Sequence, residues 1–180
     1  MEQRTRVLAA AGLTVLIFLL VQLGALALVE PFKSAGLQST EDPSDPTNSL
    51  VYIGVILVFT AGMLAVMKLG VEWILRVVII LTSGMLSLYV FSVVIPAVVT
   101  PTVDGVQVNL LAWVAAGLVA LALAVYPEWY VIDSAGVVMG AGAAGLFGIS
   151  FGLFPAILLL AALAVYDAIS VYGTEHMLTL

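Results

Sequence analysis

The sequence predicts an all-α, polytopic membrane protein with six transmembrane helices. Of its 180 residues, 63% are hydrophobic and only 9% are charged, which is far from the balance of a soluble globular domain. The apolar residues fall in six runs, each close to the length that a helix needs to cross about 30 Å of hydrocarbon. These runs are continuous rather than alternating, which excludes a transmembrane barrel and leaves helices to satisfy the backbone in lipid.

The six predicted spans follow one another along the chain. The first is too long for the apolar region of a signal peptide and has no small-residue cleavage pattern before Glu30, so we interpret it as an uncleaved span. All six belong to one transmembrane domain covering residues 1–180. We predict them at residues 7–29, 50–67, 71–94, 110–126, 131–149 and 152–172.

Two polar connections are long enough to interpret. Residues 30–49 form the longer one, and Pro43 and Pro46 among Asp, Ser and Asn residues predict an exposed, mobile loop. The other connection separates the third span from the fourth, and Asp104-Gly105 predicts a turn within it. The remaining connections are very short, so no separate soluble domain is expected.

Basic residues predict which side of the membrane each connection faces. Short cytoplasmic loops are enriched in Lys and Arg. A cytoplasmic N-terminus leaves only Lys33, of five basic residues, on the outside. With six spans the C-terminus also returns to the cytoplasm, and the loop at 30–49 is extracellular. We therefore expect a multi-pass protein of the plasma membrane.

A charged stripe is predicted at the cytoplasmic surface. Lys68, Glu72 and Arg76 are spaced four residues apart, so on one helix they would share a face, with Arg76 extending back toward water. We interpret the stripe as an interface anchor, with binding of peptide or lipid headgroups as the alternative. Amphipathic rings prefer the same depth. The aromatic residues at predicted interfaces are Trp73, Tyr126, Trp129 and Tyr130.

The fifth span contains Gly-x-Gly-x-x-Gly at residues 140–145. A nucleotide site would need a preceding strand and a soluble βαβ unit, which this sequence does not predict. Small residues on a membrane helix let neighbouring backbones approach closely, so we predict a packing role.

Asp167 is the most informative residue, because it is a carboxylic acid inside the last apolar span. A carboxylate in hydrocarbon costs several kcal/mol unless it is neutralised or partnered, which makes it a candidate functional residue. Ala161, Ala164 and Ala168 form a small-residue face beside it, against which another helix could pack. The alternatives are a structural acid, a proton or cation relay in a transporter, and a catalytic acid.

Peptide hydrolysis by a carboxyl group without a metal or a nucleophilic Ser or Cys needs two such groups close together. Asp167 supplies one of them, and the sequence offers no convincing second. Asp133, at the start of the fifth span, is predicted to cap that helix or to lie in the interface, with a role beside Asp167 as the minor alternative. The chain has no cysteine and one histidine, His176, beyond the last span, so no metal site or cofactor is expected. The net charge of −6 argues against nucleic-acid partners.

The segment from Ala164 to Leu180 resembles the sixth transmembrane helix of presenilin and signal-peptide-peptidase type intramembrane aspartyl proteases, and is most similar to the archaeal presenilin homologues. Tyr166-Asp167 matches the Tyr-Asp motif that holds the first catalytic aspartate of the family. The run through Val171-Tyr172 and His176-Met177 extends the similarity. The six spans, the cytoplasmic N-terminus and the position of the acid also match the family plan.

The resemblance covers nearly all of this chain but only about the N-terminal two thirds of the family architecture. The family's seventh helix, with Gly-x-Gly-Asp, and its ninth, with Pro-Ala-Leu, have no counterpart. Ala143 follows Gly140-Ala-Gly142 where Asp would be needed, and Pro155-Ala-Ile157 lies in the wrong helix. We therefore expect these 180 residues to be part of a longer protein, or a fragment, and to be inactive alone.

The resemblance implies an aspartic endopeptidase that cuts transmembrane peptides within the bilayer. Asp167 would be one of two catalytic aspartates, Tyr166 a neighbour supporting it, and the partner Asp would lie on C-terminal helices missing here. A water-accessible cavity near Asp167 is expected, and a homo-oligomer is an open alternative to a monomer. The alternative function is a transporter or channel half in which Asp167 relays protons or cations.

Overall fold

The computed structural model describes residues 2–103 and 106–172. It confirms the all-α fold class, and each predicted span overlaps one helix. The helices are α1 (Glu2–Ser34), α2 (Thr47–Lys68), α3 (Glu72–Val94), α4 (Leu110–Val125), α5 (Trp129–Ser150) and α6 (Leu153–Tyr172). Two short antiparallel strands, β1 (Thr102–Val103) and β2 (Val106–Gln107), lie between α3 and α4.

Four of these helices, α1, α2, α3 and α5, are long and apolar enough to cross a membrane. In the described part of the chain α4 and α6 contain shorter apolar stretches, Leu110–Val125 and Leu153–Ile169. Large apolar side chains project outward along the helices, among them Leu8, Val58 and Leu153 at 72%, 75% and 80% exposure. Such extensive apolar surface suits contact with lipid rather than water.

Helix α1 is longer than the predicted first span and passes through Pro31. The predicted loop at 30–49 was therefore wrong at its boundaries, because the chain leaves the helix only after Ser34 and enters α2 at Thr47. Two features determine where the helix ends. Phe32 is fully buried, and Gly36, at φ +67°, ends the helix with the paired hydrogen bonds of a Schellman motif. Packing of Phe32 thus outweighs the hydrogen bond that Pro31 cannot donate.

The turn between α2 and α3 shows that the predicted charged stripe was wrong. Lys68 is the last residue of α2, Gly70 adopts φ +69°, and α3 begins at Glu72. The backbone N–H groups of Gly70 and Val71 donate to carbonyls of the last turn of α2 and complete a Schellman motif. Because α2 ends at Lys68 and α3 begins at Glu72, Lys68 does not share a helix with Arg76.

The connection between α3 and α4 contains the β1–β2 hairpin, with Thr102 opposite Gln107 and Val103 opposite Val106. The turn predicted at Asp104-Gly105 lies outside the described residues. Asn109 then caps α4: its Oδ1 accepts a hydrogen bond from the Ala112 N–H, and its amide donates to the Ile95 carbonyl at 2.8 Å.

The chain divides into two compact units. The first unit comprises Met1–Gln38 and Trp73–Gly148 and contains α1, α3, α4 and most of α5. The second unit comprises Ser39–Glu72 and Ile149–Leu180 and contains α2 and α6. Each unit is described separately below.

The first unit confirms the packing role predicted for the glycines of α5. A Cβ atom built on Gly142 would lie 2.6 Å from Val90 Cγ2 in α3, and one built on Gly145 would lie 3.1 Å from the Phe32 ring in α1. From the opposite side, a Cβ on Gly24 of α1 would lie 2.9 Å from Ala141 Cβ. The glycines allow α1 and α3 to approach α5 more closely than larger residues would.

Candidate functional site

Asp167 lies on α6 in the second unit, five residues before Tyr172, where the described helix ends. Its side chain is exposed, and Tyr166 beside it is 37% exposed. Among the described residues, the Asp167 carboxyl makes no hydrogen bond or ion pair. The sequence placed an acid within an apolar helix, and the structure leaves that acid available on the helix surface.

The end of α6 away from Asp167 is firmly packed within the second unit. Pro155 and Leu159 are buried, and Ser49, at the start of α2, is fully buried. The Ser49 hydroxyl donates to the Pro155 carbonyl oxygen at 2.7 Å. This bond joins the first turn of α2 to the first turn of α6, and it is shielded from solvent.

The polar loop before α2 also contacts the turn that leads into α6. The Ser39 N–H donates to Ser150 Oγ at 3.0 Å, the Thr40 hydroxyl donates to the Ser150 carbonyl, and the Gly152 N–H donates to the Pro43 carbonyl at 2.6 Å. A Cβ on Gly152 would lie 3.0 Å from that same carbonyl oxygen, so a larger residue would require the loop backbone to shift by a few tenths of an ångström. The loop therefore contacts the α5–α6 turn, while most of its side chains, among them Glu41, Asp42 and Ser44, are exposed as predicted. Its mobility stays a prediction.

Sequence reasoning missed Ser49, Ser150 and Gly152 as residues that position α6. Their partners lie about a hundred residues away in the chain, so local patterns contain no signal for them. An edge-on ring contact between Tyr52 of α2 and Phe151 of the α5–α6 turn, with centroids 4.7 Å apart, also holds these two segments together.

Replacing Ser49 with Ala removes the hydroxyl that donates to the Pro155 carbonyl. We expect the unfolding free energy to fall by about 1 kcal/mol, the typical net value of one intramolecular hydrogen bond. Unfolding in mixed detergent micelles, followed by circular dichroism, measures this loss. Ser92→Ala is the matched control, because the exposed Ser92 hydroxyl donates within its own helix to the Tyr89 carbonyl. Equal losses in the two variants would contradict a special role for the Ser49 bond.

The half of α6 that contains Asp167 differs from its packed half. Every side chain from Ala164 to Ile169 is exposed, and so is Ala161. The predicted small-residue face beside Asp167 is therefore uncovered in the described structure. Small exposed residues around an acid on an apolar helix leave room for another helix to approach it closely.

Asp133 is half-buried and is the fifth residue of α5. The predicted capping role was wrong, because α5 begins at Trp129, and the N–H groups of Val131 and Ile132 donate to the Glu128 carbonyl. A place in the interface stays a prediction for Asp133, as does a contribution to chemistry.

His176 lies outside the described residues. Among the described residues, no group of three or more His, Asp or Glu side chains could hold a metal ion.

Comparisons with known proteins place these features in a family. The model of the family described as signal-peptide peptidase, presenilin aspartyl protease matches residues 15–180. No curated protein matches the chain.

Two solved structures of a presenilin family intramembrane aspartate protease, in space groups C222 and P2, are each 40% identical in sequence to this chain. Their TM-scores are 0.70 and 0.72, and the matches cover 92% and 91% of this chain. They cover 64% of each solved chain, so this chain spans a little less than two thirds of those relatives. The match over most of the chain confirms the resemblance first seen around Tyr166-Asp167, and the chain belongs to the family of signal-peptide peptidases and presenilin aspartyl proteases.

Proposed function

We propose that this chain is the Asp167-containing part of an intramembrane aspartyl protease that hydrolyses transmembrane peptide segments. The observation that supports the proposal best is the exposed carboxyl of Asp167 on an apolar helix, within the Tyr166-Asp167 motif. A carboxylate that only stabilised the fold would be expected to be buried with a hydrogen-bonding partner. An acid that acts on a substrate must instead be accessible.

The chemistry requires a second carboxyl near Asp167. One ionised carboxylate takes a proton from water while the other, protonated, donates to the carbonyl oxygen of the scissile peptide bond. The hydroxide oxygen bonds to the carbonyl carbon, a proton then passes to the amide nitrogen, and the C–N bond breaks. The two carboxyl groups therefore have different roles, one accepting a proton from water and the other donating a proton to the substrate.

We place the second carboxyl on polypeptide outside these 180 residues. The solved relatives have about a third of their length without a counterpart in this chain, and the uncovered face at Ala161, Ala164 and Ala168 offers a surface for a further helix. Tyr166 would support the position of Asp167, and water would reach the site through a cavity on the cytoplasmic side. These 180 residues alone are therefore expected to be inactive. Homo-oligomerisation stays a prediction.

A cleavage assay tests the proposed function. The protein together with the segment that supplies the second carboxyl is reconstituted in liposomes with a transmembrane peptide, and the products are identified by mass spectrometry. We expect cuts within the membrane-spanning part of the peptide. Ion-dependent uptake by the liposomes without cleavage would instead indicate the alternative, a transporter that uses Asp167 as a relay.

The proposed topology has six spans, cytoplasmic termini and a location in the plasma membrane. Because the chain contains no cysteine, single cysteines introduced by Arg4→Cys and Ser44→Cys give unambiguous labelling sites. We expect a membrane-impermeant maleimide added to intact cells to label the Ser44→Cys variant, and the Arg4→Cys variant only after permeabilisation. Labelling of the Arg4→Cys variant in intact cells would reverse the orientation.

A further inference from the structure

A groove in the first unit has a composition that the protease function does not explain. It is a cavity of about 470 Å³ between α3, the end of α4 and α5, within the usual range of about 300–1,000 Å³ for small-molecule sites. Its lining is almost entirely apolar, and its polar members are Arg76 and Ser83. The Ser83 hydroxyl donates to the Ile79 carbonyl of its own helix at 2.6 Å, which leaves Arg76 as the charged group of the lining.

Arg76 lies at one end of the groove, near the helix termini. Its Nη2 donates to the carbonyl oxygen of Ala124, in the last turn of α4, at 2.6 Å. A guanidinium has five N–H donors in a planar fork, so this single bond leaves others to meet an anionic oxygen. The cation also offsets the negative end of the α4 dipole. Arg76 is therefore both a cap for α4 and an available donor at the mouth of the groove.

Aromatic residues indicate the depth of that mouth. Trp73, Tyr126 and Trp129 are all more than half exposed and lie at the ends of α3, α4 and α5, as aromatic residues do at the level of lipid headgroups. From Arg76 the groove extends to Ser83, seven residues or about 10 Å deeper along α3. A polar mouth at headgroup depth and an apolar interior fit an amphiphile oriented as a bilayer lipid is.

We propose that this groove binds one phospholipid, with its phosphate on Arg76 and part of an acyl chain between α3 and α5. Phosphate oxygens match the guanidinium fork, and each buried methylene of the acyl chain favours binding. Glu128 and Asp133 belong to the same end of the unit and disfavour headgroups with several negative charges, so a headgroup with a single phosphodiester fits best. A transmembrane helix is about 10 Å across. A piece of helix as long as the groove is deep would therefore exceed the volume of the groove.

Lipid binding measured by native mass spectrometry tests the proposal. The detergent-solubilised chain is titrated with palmitoyl-oleoyl phosphatidylethanolamine and, separately, with the matched diacylglycerol, which lacks the phosphate. We expect the wild type to retain one phospholipid more tightly than the diacylglycerol. Arg76→Gln should weaken phospholipid binding about tenfold, as expected for loss of one charged hydrogen-bonding partner, and leave diacylglycerol binding unchanged. Lys68→Gln, which removes a cation outside the groove, should change neither.

A second variant tests the groove without touching Arg76 or its bond to α4. Gly136 lines the groove, and a Cβ built on it has nothing within 4 Å, so Gly136→Leu places a side chain in the empty volume with little strain. We expect this variant to lose both lipids, whereas Gly117→Leu, at an equally open position of α4 outside the groove, keeps them. Circular dichroism checks that each variant retains its helices.

The proposal is overturned if Gly136→Leu binds phospholipid as the wild type does, or if a folded Arg76→Gln variant does. If Lys68→Gln weakened phospholipid binding as much as Arg76→Gln does, general attraction between surface cations and the phosphate would explain the binding, and the proposal would also be overturned. If Arg76→Gln does not fold, the Gly136→Leu and Gly117→Leu pair decides the question.

Discussion

Asp167→Asn is expected to reduce cleavage of a transmembrane peptide to background in a protein that also contains the second carboxyl. Asparagine keeps the size and hydrogen-bonding capacity of the side chain but cannot take or release the proton that water and substrate exchange. A positioned acid or base typically contributes about 10²–10⁴-fold to the rate, and a dyad that acts as a unit loses most of its activity when either member is lost. Product formation in liposomes, followed by mass spectrometry, measures the rate.

Asp133→Asn is the matched control, because it removes another carboxyl at a helix of the chain without changing α6. We expect it to retain most of the wild-type rate. Cleavage retained by Asp167→Asn would remove the catalytic assignment, and loss in both variants would place Asp133 in the same chemistry. If Asp167→Asn instead abolished ion uptake while no cleavage occurred in the wild type, the transporter alternative would stand.

The positions of the helices could be predicted because each depends on a local property, the length of an apolar run. The interior of every predicted span is helical in the structure. The errors lie at ends set by tertiary contacts. At Pro31, local preference indicates a break, but burial of Phe32 beside Gly145 and the turn at Gly36 move the end of α1 to Ser34. Helix propensity is a weak local preference, and packing overrides it here.

The candidate site was predictable only in part, for a similar reason. An acid in an apolar run is visible in the sequence, so Asp167 could be found without a structure. The contacts that hold α6 could not, because Ser49 and Ser150 each pair with residues distant in the chain. The regular spacing of Lys68 and Arg76 was misleading, because the left-handed backbone of Gly70 separates two helices between them.

Gly142→Ala is expected to destabilise the first unit by about 1–3 kcal/mol, the usual cost of inserting a methyl group into a packed core. The new Cβ would lie 2.6 Å from Val90 Cγ2, so either the Val90 side chain or one of the two helices must shift. Val90 cannot easily yield, because a β-branched side chain on a helix has one strongly preferred rotamer, and it is buried at 8% exposure. Unfolding of the purified chain in mixed detergent micelles, followed by circular dichroism, gives the free energy.

Gly148→Ala separates this clash from the intrinsic effect of replacing glycine. It lies on the same helix, and a Cβ there has nothing within 4 Å, so this variant gains the helix propensity of alanine, up to about 1 kcal/mol, without a steric cost. Gly142→Ala gains the same propensity, and a net loss relative to Gly148→Ala therefore measures the close approach of α3 to α5. Equal stability of the two variants would mean that the helices separate freely at this point, and that the glycines of α5 do not determine how closely α3 packs against it.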